Sequence, residues 1–143
     1  MSLNDIAHEL QALATQYNLN AMYAFGSRRE EICARLAGKP YSTDVPESDL
    51  DIGVQPAETS RLSPRDKVRL ALGLEDLFDV PRVDLVLLDE APPYLALDVI
   101  RGELIYCSDY DAQAEHELYV LRRAGDLAYF ERQRRHGILY GDE

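Results

Sequence analysis

Apolar residues recur at helical spacing at the start of the chain, at Leu3, Ile6, Ala7, Leu10, Leu13, Ala14 and Tyr17. Positions three and four apart share one side of a helix, so the spacing predicts an amphipathic helix ending near Asn18–Asn20. The period then changes. The run AMYAF (Ala21–Phe25) reads as a short buried strand closed by Gly26. A helix over about Arg28–Ala37 follows, with Ser27 as its N-cap, Glu30 and Glu31 in its first turn, and Ile32 and Leu36 as its apolar stripe. Gly38 and Pro40 stop it, and Lys39–Ser48 is loop by composition. DLDIGV (Asp49–Val54) predicts the second strand. Pro64–Phe78 predicts a helix with Leu70, Leu74 and Leu77 inward and Pro64 in its first turn. VDLVLLD (Val83–Asp89) is a third strand, apolar enough to read as a central one. A helix over Pro93–Arg101, a strand over Glu103–Cys107 and a last helix over about Tyr110–Arg135 complete the chain. Leu118, Leu121, Ala124, Leu127 and Ala128 supply the last helix's expected buried side, and the cluster Arg132–His136 matches its negative C-terminal end.

Helices and strands thus alternate, which predicts an α+β (mixed α/β) fold in a single domain over residues 1–143. At 46% hydrophobic and 29% charged, the sequence is that of a globular domain rather than a disordered one. No apolar run is long enough for a membrane helix, and polar residues occupy the N-terminus where a signal peptide needs an apolar block, so a cytoplasmic protein is expected. Cys33 and Cys107 lack the spacing of a zinc site and read as free thiols; His8, His116 and His136 are scattered and read as surface residues. The tyrosines Tyr106, Tyr110, Tyr119 and Tyr129 are expected to pack the last helix on the sheet, the alternative being a partner-binding face. The net charge of −11 argues against direct nucleic-acid binding, which needs a basic face. It suits a basic protein partner, or a substrate approached through bound cations.

The chemistry gathers in three places. Side chains alternate along a strand, so Asp49 and Asp51 point the same way and repel each other unless a cation lies between them. Magnesium is the natural choice for such oxygen ligands. Two solvated aspartates at a strand edge are the alternative. Asp84 is the one charge inside the apolar run VDLVLL; it is either salt-bridged, with Arg82 at hand, or a third carboxylate on a neighbouring strand. Three carboxylates from two adjacent strands are what a two-metal phosphoryl-transfer site requires. Gly26-Ser27 adds a glycine that lets backbone approach a phosphate and a helix start with free N–H groups, although a plain helix cap reads the same way.

With these pieces in order, YAFGSRR, SDLDIGV and VDLVLL, the chain resembles the minimal nucleotidyltransferases of the DNA polymerase β-like superfamily, with their small mixed sheet flanked by helices. Its C-terminal part resembles the end of the antitoxins that accompany HEPN-domain toxins. The resemblance implies transfer of AMP from ATP, with two magnesium ions held by Asp49, Asp51 and Asp84 as metal-binding and catalytic residues. It implies nucleotide binding by Gly26, Ser27 and Ser48, with Arg28 or Arg29 reaching the triphosphate. The implied acceptor is a tyrosine hydroxyl of a HEPN-type ribonuclease toxin, which the modification silences. Two other readings stand beside it, a non-catalytic antitoxin acting by occlusion and a transferase for small molecules such as aminoglycosides. One departure from the family is the stretch from Arg28 to Ser48, longer than usual between the Gly-Ser and the first aspartate; the expectation is a longer helix and an added loop over the nucleotide.

Overall fold

Among the residues that the computed structural model describes, 3–41 and 48–140, the expected alternation is present. The helices are α1 (Leu3–Gln16), α2 (Arg29–Ala37), α3 (Pro64–Phe78), α4 (Pro93–Ile100) and α5 (Tyr110–Tyr140); the strands are β1 (Leu19–Phe25), β2 (Leu50–Pro56), β3 (Val83–Leu87) and β4 (Glu103–Cys107). α3 coincides with its sequence expectation, because its ends carry explicit signals. Ser63 accepts a hydrogen bond from the Asp66 N–H at 3.1 Å, Pro64 follows it, and Asp79 ends the helix in the left-handed region. None of the described helices is long and apolar enough to cross a membrane.

The strands form one mixed sheet in the order β3-β2-β1-β4. β1 runs antiparallel to β2 and to β4, while β2 and β3 are parallel and joined by the α3 crossover. Strand alternation divides the core between the two faces. Met22, Ala24, Leu50, Ile52 and Val54 pack against Leu10 and Ala14 of α1, Ile32 of α2 and Leu70, Leu74 and Phe78 of α3. Ala21 and Tyr23 face the other way, against Ala96 and Val99 of α4 and Val120 of α5. Gly53 lies on that second face because nothing larger fits: a Cβ there would stand 2.2 Å from Val99 Cγ1. The missing side chain lets α4 settle onto the centre of the sheet.

Several expectations are corrected. β3 is an edge strand and ends at Leu87, and its Asp84 is exposed rather than buried in a central strand. Ser27 does not cap α2; it lies in a 3-10 turn over Gly26–Arg28, and no side chain caps the start of α2. α5 continues to Tyr140, so Arg132–His136 lies inside the helix. Its inward positions are Gln113, Val120 and Ala124, whereas Leu118 and Leu121 are exposed. Tyr110, Tyr119 and Tyr129 are exposed as well, so they do not pack α5 on the sheet; of the four tyrosines only Tyr106 is partly buried against the core. A polar cluster docks α5 instead. Gln113 Nε2 donates to the Tyr23 hydroxyl at 2.8 Å and to Glu117 Oε1 at 2.7 Å, and the Tyr23 hydroxyl donates to Glu117 Oε1 at 3.1 Å. His116 is half-buried rather than a surface residue, and burial lowers its pKa. The loop expected over Lys39–Ser48 falls largely on residues 42–47, which lie outside the described residues.

Candidate active site

The site forms where β1 ends and β2 and β3 begin. β1 closes at Phe25, and Gly26 turns the chain with φ +77°, a conformation that favours glycine. The turn presses backbone against a carboxylate: a Cβ on Gly26 would meet Asp51 Oδ2 at 2.2 Å. Glycine is therefore required twice here, for the dihedral and for the close approach. Ser27 follows on the surface, and α2 begins two residues later.

Register places the carboxylates. Phe25 is paired with Asp51, and Asp51 with Asp84. The three residues form one row across the sheet, at the strand spacing of about 4.8 Å. Asp51 and Asp84 share the face that carries Tyr23 and Val86. Asp49 stands one residue before β2, exposed, with Oδ2 at 3.7 Å from Arg82 Nε. Arg82 was the partner anticipated for Asp84; it approaches Asp49 instead. Asp51 feels the whole arrangement. Burial raises its pKa above the usual carboxylate value, and the nearby charges of Asp84 and Asp49 raise it further.

Among the described residues no three His, Cys, Asp or Glu side chains converge closely enough to form a ready-made metal cluster. The donor set nevertheless suits a hard divalent cation. It consists of carboxylate oxygens alone, and Asp51 is held in a state of charge repulsion that a cation would relieve.

Arg28 is put to a different use from the one expected. It is buried, and its guanidinium is turned to Glu31: Nε lies 3.1 Å from Oε1, and Nη2 lies 3.0 and 2.9 Å from Oε1 and Oε2. Nη1 donates to the Ser48 carbonyl at 2.9 Å. Arg28 therefore ties α2 to the residue just before Asp49, and Ser48 is engaged through its backbone. Glu31, which the sequence reading assigned only to a helix first turn, is the buried counter-charge; the i, i+3 spacing of Arg28 and Glu31 was the available signal. Arg29 remains exposed at the start of α2.

The sequence profile "Polymerase beta, Nucleotidyltransferase" matches residues 8–111, which include every one of these positions. No curated protein matches the sequence. Among solved structures, the chain is similar to one in a MntA–HepT toxin–antitoxin (22% identity, TM-score 0.59, covering 94% of this chain and 95% of that one). It is also similar to a chain of a toxin–antitoxin with AMP-PNP (22%, TM-score 0.60, 95% and 96%). A third is from the complex of a tri-AMPylated Shewanella oneidensis HEPN toxin with MNT antitoxin (20%, TM-score 0.58, 98% and 97%). At these identities the structural likeness establishes the fold.

Proposed function

The chain belongs to the polymerase β nucleotidyltransferase family, and from that premise we propose that it transfers AMP from ATP to a tyrosine hydroxyl of a HEPN-type ribonuclease toxin, silencing it. The observation that carries the reading is the row Phe25–Asp51–Asp84 with Gly26 packed on the Asp51 carboxylate, which joins a phosphate-type turn to an acidic pair. The acceptor is suggested by the structural neighbours, one with AMP-PNP and one whose HEPN toxin is AMPylated.

In this reading Asp49, Asp51 and Asp84 hold two magnesium ions, which when bound neutralise the phosphate charge and acidify the acceptor hydroxyl. Gly26 and Ser27 receive the β- and γ-phosphates on backbone N–H groups and the Ser27 hydroxyl. Arg28, through its bond to the Ser48 carbonyl, positions Asp49 rather than touching the nucleotide. The acceptor oxygen forms a bond to the α-phosphorus as the bond to pyrophosphate breaks. The hydroxyl proton passes to the Asp84 carboxylate, which is exposed and able to release it to water. Most of the acceleration comes from in-line positioning and charge neutralisation.

The test is incubation with magnesium, ATP labelled at the α-phosphate, and a cognate HEPN-family toxin. Label is expected on a toxin tyrosine, with loss of its ribonuclease activity. An Asp49→Ala/Asp51→Ala variant should lose both effects. Neutralisation that persists in this variant, without label, would establish occlusion instead, and label on an aminoglycoside would establish a small-molecule transferase.

A further inference from the structure

α5 has more length than its inner side uses. It runs for 31 residues, about 46 Å at the helical rise, yet its buried residues among those described are Gln113, Val120 and Ala124. Its solvent side carries the larger apolar groups. Among the described residues, six of the eleven exposed large hydrophobics lie on this helix, with Leu118, Leu121 and Tyr129 exposed by 59%, 49% and 52%. These positions are ordered. Ala114, Leu118, Leu121, Gly125 and Ala128 follow one another in alternating steps of four and three, the spacing at which one helix lies along another. All but the half-buried Ala128 are exposed. The same steps lead back to Asp111 and on to Arg132 and Arg135.

Gly125 sits in the middle of this seam without a packing neighbour: a Cβ there would meet no atom within 4 Å. A glycine inside a helix costs about 1 kcal/mol against alanine, and no contact among the described residues asks for it. A second helix crossing at this point does, because the missing side chain lets backbone come close. Charge then decides which helix that is. Residues 110–121 hold Asp111, Glu115 and Glu117 and no Lys or Arg, a formal charge of −3. Residues 122–136 hold five arginines against Asp126 and Glu131, a formal charge of +3. A helix that is acidic in its first half and basic in its second complements itself when two copies lie antiparallel. Laid parallel, the copies repel along their whole length. A partner of one sign, such as a nucleic acid or an acidic membrane, suits one half and is repelled by the other.

We infer that the outer side of α5 is a self-association surface: two copies of this chain pair through antiparallel α5 helices along Leu118, Leu121 and Gly125, the acidic half of each on the basic half of the other. A two-fold axis generates this arrangement, since the same patch serves both copies. Two leucines with Tyr129 beside them make a short apolar centre, so the dimer is a reversible one, with a dissociation constant on the order of 10 µM. The surface uses none of the residues of the acidic row or the Gly26 turn, and it is independent of the transferase reading.

Sedimentation velocity of the full chain, from about 1 to 100 µM at low salt, is expected to show monomer passing into dimer. Raising NaCl from about 0.05 to 0.5 M should weaken the dimer about tenfold, because the charged halves are exposed. Leu118→Glu/Leu121→Glu should leave a monomer throughout the range. Charge reversal then reads the direction of pairing. Asp111→Arg/Glu115→Arg sets a basic half on a basic half, and Arg132→Glu/Arg135→Glu sets an acidic half on an acidic one. Each variant alone should lose affinity by about tenfold or more, and an equimolar mixture of the two should recover it. A misfolded variant cannot give that recovery. A wild-type chain that stays monomeric across the range overturns the inference. So does a dimer that Leu118→Glu/Leu121→Glu leaves intact, or a mixture of the two charge variants that pairs no better than either alone. A monomeric wild-type chain whose Leu118→Glu/Leu121→Glu variant no longer binds the toxin proposed above would assign the face to that partner and overturn self-association.

Discussion

Gly26 sets the distance between backbone and carboxylate, and its replacement is the most informative single change. In Gly26→Ala the new Cβ meets Asp51 Oδ2 at 2.2 Å and strains a backbone held at φ +77°. The cost to stability is expected at about 1–2 kcal/mol, read by chemical denaturation, while transfer falls by roughly a hundredfold or more because the carboxylate is displaced. Asp51 should behave in the opposite sense. Its pKa is raised in the folded protein, so the fold binds this proton more tightly than the unfolded chain, and stability is lost as pH rises through the folded value. Asp51→Asn removes that loss. It should raise Tm at pH 7.5 by about 2–4 °C, with the gain vanishing below the ordinary carboxylate value of 3.8, and it should abolish transfer. Calorimetry at the two pH values checks the sign. Gly26, Asp51 and Asp84 were legible in the sequence because a glycine before a helix and charges inside apolar strands are local anomalies. Arg28 was misread because position at a helix start does not say which way a long side chain folds. Its burial depends on Glu31 and on a carbonyl twenty residues away.

At the scale of elements, two polar clusters hold pieces that hydrophobic packing alone leaves loosely joined. The Arg28–Glu31 pair is buried with side chains only 4% and 7% exposed, and Arg35 adds a bond from α2 to the Phe78 carbonyl at the end of α3. Arg28→Met removes the closer of Glu31's two cations, leaving Arg35 Nη1 at 3.5 Å, and should cost toward the lower end of about 3–5 kcal/mol. Glu31→Gln/Arg28→Met should recover part of that cost, and a lower kcat in the folded variant with the ATP KM unchanged would match a positioning role. The second cluster joins β1 to α5. Burial raises the Tyr23 pKa, so its hydroxyl stays protonated and donates to Glu117. Tyr23→Phe leaves Gln113 and Glu117 short of a partner and should cost about 1–3 kcal/mol, measured by urea unfolding. Helices with capped ends, α3 above all, were readable from local signals. α5 was placed correctly and its expected inward residue Ala124 is buried, but Gln113 and Val120 also point inward while Leu118 and Leu121 point outward. Counting hydrophobic residues favours the wrong stripe in such a helix. The edge position of β3 depends on pairing across the sheet, which local sequence does not encode.

For the whole molecule, the net charge of −11 makes the approach of a basic partner a long-range process. Association with the toxin proposed above as partner should slow by roughly tenfold between low and high salt, with dissociation nearly unchanged, as stopped-flow mixing would show. The parallel pairing of β2 and β3 carries a different consequence. Asp51 and Asp84 become neighbours only after α3 has folded back across the sheet and β3 has zipped onto β2. A chain emerging from the ribosome holds the Gly26 turn and the first two aspartates before it holds the third. On the transferase reading, catalytic competence therefore arrives late in synthesis, only once β3 is paired with β2.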